Sequence, residues 1–172
     1  MQKLRILLIS LAALMLPISC TVISEPVRSD AEPHVPFNTL VARADQFKGR
    51  TVILGGYILE TRNLESETII KVLQVPMRIG EEPDFKDRSE GRFLVYHRGF
   101  LDPEVYSKDR AITVAGEVIG TGTEEMSDSP ILYLKLKYRE IYLWPDYPTH
   151  SYPYHSWPYP YPYYRYPYRY WR

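Results

Sequence analysis

The chain has 172 residues, 21 basic and 21 acidic side chains, 15 prolines and a single cysteine. Balanced charge leaves no cationic surplus for nucleic acid, so nucleic acid is not expected as a partner. One cysteine makes an intramolecular disulfide impossible, and the fold must rest on its apolar core.

Lys3 and Arg5 open a leader, and Ile6 to Ile18 form an apolar run broken by Ser10 and Pro17. As a helix that run would reach roughly 20 Å at ~1.5 Å per residue, short of the ~30 Å bilayer core. It reads as an export signal that is removed. Cys20 follows directly, after Ile18 and the small Ser19, so residues 1–19 read as a lipoprotein signal peptide with Cys20 as the acylated (palmitate-type) residue. Pro17 stands where such signals usually carry leucine. Several acyl chains, at ~0.8 kcal/mol per buried methylene, hold a protein on a membrane where one would not. The alternative is an ordinary secretory signal followed by a free thiol, a reactive liability in an exported chain. Thr21 follows the cysteine where aspartate would argue for inner-membrane retention, which points to the outer membrane. The expected location is lipid-anchored on that membrane, on its periplasmic face.

Residues 20–36, with prolines, scattered charges and no period, read as a lipidated tether. His34 lies within it as a solvated linker residue. Residues 37–144 carry nearly all the aliphatic side chains and suit one domain. Phe37, Leu40, Val41, Ala44 and Phe47 fall at helical spacing, with Asn38 as a cap and Gly49 as a stop. The period then changes to two. Strands are predicted over TVILGGYILET, ETIIKVLQVP, RFLVYHR, AITVAGEVIG and ILYLKLKYREIYLW. Gly55 and Gly56 suggest a bulge or sharp coil in the first, and Gly116 a kink in the fourth. In the fifth, Leu132, Leu134, Leu136 and Tyr138 share one face, Lys135, Lys137 and Arg139 the other, and the phase slips near Arg139–Ile141. The fold expected is mainly β: a small five-stranded barrel of the oligonucleotide/oligosaccharide-binding (OB-like) kind with a flanking N-terminal helix. An open meander packed on the helix is the competing architecture.

Between the second and third strands, Glu81, Glu82, Asp84, Asp87 and Glu90 are interleaved with Arg78, Lys86, Arg88 and Arg92. Their spacing is not that of a calcium loop, and a solvated loop is expected.

SEGRFL at 89–94 and GFLDPEVY at 99–106, with Gly55-Gly56, VLQVP at 72–76 and ITVAG at 112–116, resemble the Slp family, starvation-inducible outer-membrane lipoproteins of Gram-negative bacteria. The resemblance covers most of 37–144 and the lipidated N-terminus, and leaves the tail outside. It implies an outer-membrane lipoprotein without an established catalytic role, and a glycine before Arg110 where this chain has Asp109. Read physically, LDPEVY is a helical turn capped by Asp102, with Phe100, Leu101 and Tyr106 plugging the core. Arg92 and Arg110 are expected to pair with acids.

Chemistry is sparse. His97 is expected as a satisfied, wall-facing histidine, and no metalloprotease segment, phosphate loop or cofactor motif is present. Asp102 with Glu104 and Glu124 with Glu125 are carboxylate pairs without evident convergence. Lys135, Lys137 and Arg139 form a cationic stripe suited to phosphate-bearing glycans such as lipopolysaccharide, or else an ordinary solvated face. Residues 145–172 hold ten tyrosines and seven prolines and are expected as a disordered tail. There Trp157, Tyr161, Tyr164 and Trp171 could stack on sugars such as peptidoglycan; His150 and His155 make a poor metal site. The reading is a non-catalytic envelope lipoprotein with a structural or stress-adaptation role. The alternative is an OB-like module binding envelope glycans or anionic polymers, and third an undetected periplasmic hydrolase.

Overall fold

The computed structural model describes residues 21–124 and 131–146. Its elements are α1 (Glu25–Ser29), α2 (Phe37–Ala42), a 3-10 turn (Ala44–Phe47), β1 (Thr51–Asn63), β2 (Glu67–Val75), a second 3-10 turn (Lys86–Arg88), β3 (Gly91–Arg98), β4 (Ala111–Glu124) and β5 (Ile131–Leu143). The five strands close in the order β1-β2-β3-β5-β4, with β3 and β5 parallel and every other pairing antiparallel. This is the expected barrel, and closure leaves no free edge.

Alternation fills it. Val52, Leu54 and Ile58 of β1, Ile70 and Val72 of β2, Phe93 and Val95 of β3, Ile112, Val114 and Val118 of β4, and Leu134 and Leu136 of β5 form one buried cluster. Leu132 and Tyr138, at the ends of the same β5 row, stay partly exposed. Phe37, Leu40 and Ala44 plug the end where β1 and β3 begin, with the Phe37 ring over Gly91. The predicted helix is cut short: Arg43 leaves helical geometry, and the chain continues as a 3-10 turn to Gly49, which stops it in the left-handed region (φ +80°). Asn38 does not cap it; Pro36 holds that position and no side chain bonds the free amides.

The glycine pair in β1 is not a bulge. Gly55 and Gly56 keep register with Val75 and Gln74 on one side and with Thr113 and Ile112 on the other. The register slips further on, between Ile58 and Glu60. What the pair supplies is space where β1 is squeezed between its neighbours. The predicted slip on β5 falls at Arg139, left over between the Glu140–Ala115 and Tyr138–Gly116 pairs.

The connection after β3 closes the other end of the barrel. Asp102 Oδ1 accepts the Glu104 amide at 2.9 Å, and the Asp102 carbonyl accepts those of Val105 and Tyr106, giving the capped turn expected. Leu101 and Tyr106 pack on the core, but Phe100 is 71% exposed and plugs nothing. Arg110 meets carbonyls instead of acids, donating to the oxygens of Val105 (3.2 Å) and Trp144 (2.8 Å). Asp109 lies in the left-handed region (φ 72°), which explains why glycine suits that position.

Residues 21–36 depart most from expectation. They lie against the barrel, not free of it. Ile23 is 1% exposed. The Glu81 carboxylate accepts the amides of Val22 (3.2 Å) and Ile23 (3.4 Å) and pairs with Arg28. Glu140 accepts the amide and hydroxyl of Ser24, and Ala31 bridges to Thr51. The 77–90 loop is mostly exposed, as expected, but its centre is pinned to the barrel. Asp84 is buried, paired with Arg88, and accepts the Phe85 amide at 2.9 Å.

The Phe85 amide, followed by the Arg88 guanidinium, holds the Asp84 carboxyl below its usual range, and the Lys86 ammonium does the same for Asp109. A depressed folded-state pKa adds stability that is present above the unfolded value of ~3.9 and is lost as pH falls through the folded value. Urea titrations should therefore show stability falling as the pH drops below about 4, with a shallower fall in Asp84→Asn. An equally steep fall in that variant would count against Asp84 as a source.

Candidate binding face

The outward residues of β2, β3 and β5 build one surface. With Phe93 and Val95 inside, Leu94, Tyr96 and Arg98 point out; with Leu134 and Leu136 inside, Lys135 and Lys137 point out. Parallel pairing sets Leu94 against Lys135 and Tyr96 against Lys137, and β2 sets Ile69 against Tyr96. Two clefts open on this surface and share Tyr96. The smaller, about 180 Å³, is lined by Arg62, Ile69, Leu94, Tyr133 and Lys135. The larger, about 430 Å³, is lined by Ser66, Glu67, Arg98, Ile119 and Lys137.

Tyr96 is the aromatic ring this face presents between Lys135 and Lys137, with Tyr133 buried beneath it. Lys71 is buried, 3.2 Å from Glu60, with its ammonium 5.8 Å from the Tyr133 ring centre. The stem of Lys135 lies over Gly122, occupying space that any side chain at 122 would need. Aromatic faces flanked by ammonium and guanidinium groups suit sugars bearing phosphate or carboxylate.

The predicted stripe of three cations is reduced to two. Arg139 sits on the bulge and is committed elsewhere, donating to Thr51 Oγ1 (2.8 Å) and Asp30 Oδ2 (3.0 Å). It helps hold residues 21–36. Tyr96, Arg98 and Arg62 were not singled out from the sequence, although the alternation in RFLVYHR already places Tyr96 and Arg98 on one side. Cys20, Trp157, Tyr161, Tyr164 and Trp171 lie outside the described residues, as do His150, His155 and Glu125.

Among the described residues no nucleophile or orienting acid is bonded to His97 Nδ1. Its ring meets Tyr138 edge-on at 4.5 Å, and Nδ1 is buried without a partner among the described residues, so the expected satisfied histidine is not found. Asp102 is occupied in its turn. Among the described residues no group of three His, Cys, Asp or Glu side chains could hold a metal, and no helix is long and apolar enough to cross a membrane.

The model of the outer membrane lipoprotein Slp family matches residues 18–171, and so extends through the tail that the sequence resemblance left out. An uncharacterized protein of Haemophilus influenzae is 36% identical over 109 residues, 60% of this chain and 59% of that protein. The chain thus spans under two thirds of that relative. Outer membrane protein Slp of Escherichia coli is 24% identical over 129 residues, 73% of this chain and 68% of that protein. Among solved structures, the OBody AM3L09 bound to hen egg-white lysozyme aligns with a TM-score of 0.40 at 14% identity, over 66% of this chain and 96% of that one.

Proposed function

Since the chain belongs to the outer membrane lipoprotein Slp family, and so is an envelope lipoprotein, we propose that it is anchored through acylated Cys20 on the periplasmic face and serves envelope structure or stress adaptation by binding, without catalysis. The observation that carries this reading is the docking of the segment that follows Cys20. The amides of Val22, Ile23 and Ser24 are held by Glu81 and Glu140, so an anchor at Cys20 would hold the barrel against the membrane. Labelling with a palmitate analogue tests it. The native chain should be labelled and sediment with outer membranes, and Cys20→Ala should be unlabelled and released. Membrane association unchanged in Cys20→Ala would overturn the anchor.

A second reading is favoured by the two clefts around Tyr96: binding of envelope glycans or anionic polymers such as lipopolysaccharide or peptidoglycan fragments. Each solvated cation contributes up to ~1 kcal/mol, so replacing Lys135 and Lys137 together by alanine should weaken lipopolysaccharide binding roughly tenfold. Arg139→Ala, off the face, should leave it unchanged. Equal binding by the double variant and the native chain would remove this reading. The aromatic residues of 145–172, Trp157 and Trp171 among them, would add stacking contacts, tested by cell-wall pull-down after deleting residues 146–172.

A further inference from the structure

The 77–85 loop exposes two large apolar side chains, Ile79 (fully exposed) and Phe85 (69%). The tip is a tight turn: the Glu81 amide donates to the Arg78 carbonyl (3.0 Å), the Arg78 amide donates to the Glu82 carbonyl (2.8 Å), and Met77 bridges to Pro83. Gly80 (φ 86°) and Glu81 (φ 69°) are both left-handed, so the turn is sharp and presents Ile79 at its apex. The same Glu81 grips Val22 and Ile23. Ile79 is two residues from Glu81, and Cys20 precedes Val22 by two, so the loop is tied to the segment that follows the anchor.

We infer that Ile79 and Phe85 form a second membrane contact, entering the interfacial layer of the leaflet that holds acylated Cys20. This rests on the anchoring proposed above. Exposed apolar side chains grouped on one loop mark an interaction surface, and their tie to the residues next to the anchor selects lipid as the occupant. The loop is also electrically suited to a headgroup layer. Every charge within 78–86 is paired, Arg78 with Glu82, Glu81 with Arg28, Asp84 with Arg88 and Lys86 with Asp109, and the exposed Asp87 lies just beyond. The Arg78 guanidinium lies 5.7 Å from the Phe85 ring centre, a cation and an aromatic at one level, as interfacial anchors are built.

Cys20 is the chain's one native thiol, and its acylation leaves an introduced cysteine as the sole labelling site. The full lipidated chain carrying Ile79→Cys, Phe85→Cys or Phe100→Cys is labelled with an environment-sensitive dye and incorporated into phosphatidylethanolamine–phosphatidylglycerol vesicles. Phe100 is equally exposed but lies at the opposite end of the barrel. Dye at 79 and 85 should shift to the blue, gain intensity severalfold and be quenched by lipids carrying a shallow nitroxide, while dye at 100 stays aqueous. Aqueous emission at 79 on a chain that floats with vesicles would overturn the insertion alone. Failure to float, with an unmodified Cys20, would overturn insertion and anchor together. Dye at 79 already shielded in lipid-free Cys20→Ala chain would assign the loop to a protein partner or second copy and overturn the inference.

Discussion

Gly56→Ala should lower the free energy of unfolding by about 3 kcal/mol, the upper end of the range for an overpacked methyl. The argument is steric, since Gly56 has no positive φ to lose. β1 is bonded on both sides at this residue, to Gln74 of β2 and to Ile112 of β4. A Cβ there would stand 2.6 Å from Val72 Cγ1 and closer still to the Leu73 carbonyl oxygen. That oxygen belongs to a strand bonded in register on both of its sides, so it cannot move alone. Gly55 makes the comparison. A methyl at 55 meets the flexible Met77 side chain first, and Gly55→Ala should cost only ~1 kcal/mol. Gly122→Ala meets only the far end of Lys135, ammonium included, which can swing out, and should be close to neutral. Denaturant titrations of the three variants should rank 56 above 55 above 122. A domain of this size has ~5–15 kcal/mol in total, so the first change removes a large share. A Gly56→Ala midpoint indistinguishable from native would show that β1 has slack at its bend.

The glycines also show how far the sequence could be read. Paired glycines within a strand announce a bulge or a sharp coil without saying which. Whether a glycine serves a bulge or a close approach depends on which residue of the next strand lies opposite, and that is a register between distant segments. The slip at Arg139 was legible because it disturbs a period within one strand. What Arg139 binds was not, since Asp30 and Thr51 are far away in sequence. The same reason hid the docking of residues 21–36. Prolines and charges gave the segment the look of a tether, and Ile23 is its one fully buried side chain. Its partners are Glu81 and Glu140, which local pattern cannot pair with it. The barrel core was readable because alternation is local, and so half of the binding face was readable too. Lys135 and Lys137 came from the β5 alternation, and Tyr96 needed only the same step on β3.

Glu81→Ala should loosen residues 21–36 on the barrel while leaving the barrel folded. Its carboxylate accepts two amides and pairs with Arg28, with 14% of the side chain exposed. Removing it leaves a largely covered guanidinium without its anion and two amides without an acceptor, a loss of about 2 kcal/mol for a partly buried, charge-assisted site. The segment keeps Ile23, whose burial is worth ~1.5–3 kcal/mol, and the bonds of Ser24 to Glu140 and of Asp30 to Arg139. It should therefore open locally rather than detach for good. The Glu32 amide, which donates to the Thr51 carbonyl at 2.8 Å, reports that opening, and its hydrogen exchange should quicken roughly 30-fold for ~2 kcal/mol. Glu81→Gln retains an acceptor oxygen for the amides but loses the ion pair, and should fall between. Glu82→Ala, which removes only an exposed pair with Arg78, should leave exchange at Glu32 unchanged. Native protection at Glu32 in Glu81→Ala would mean that Ile23 and Glu140 suffice to hold the segment. Faster exchange would make Glu81 the residue that turns a loose leash behind Cys20 into a fixed mount.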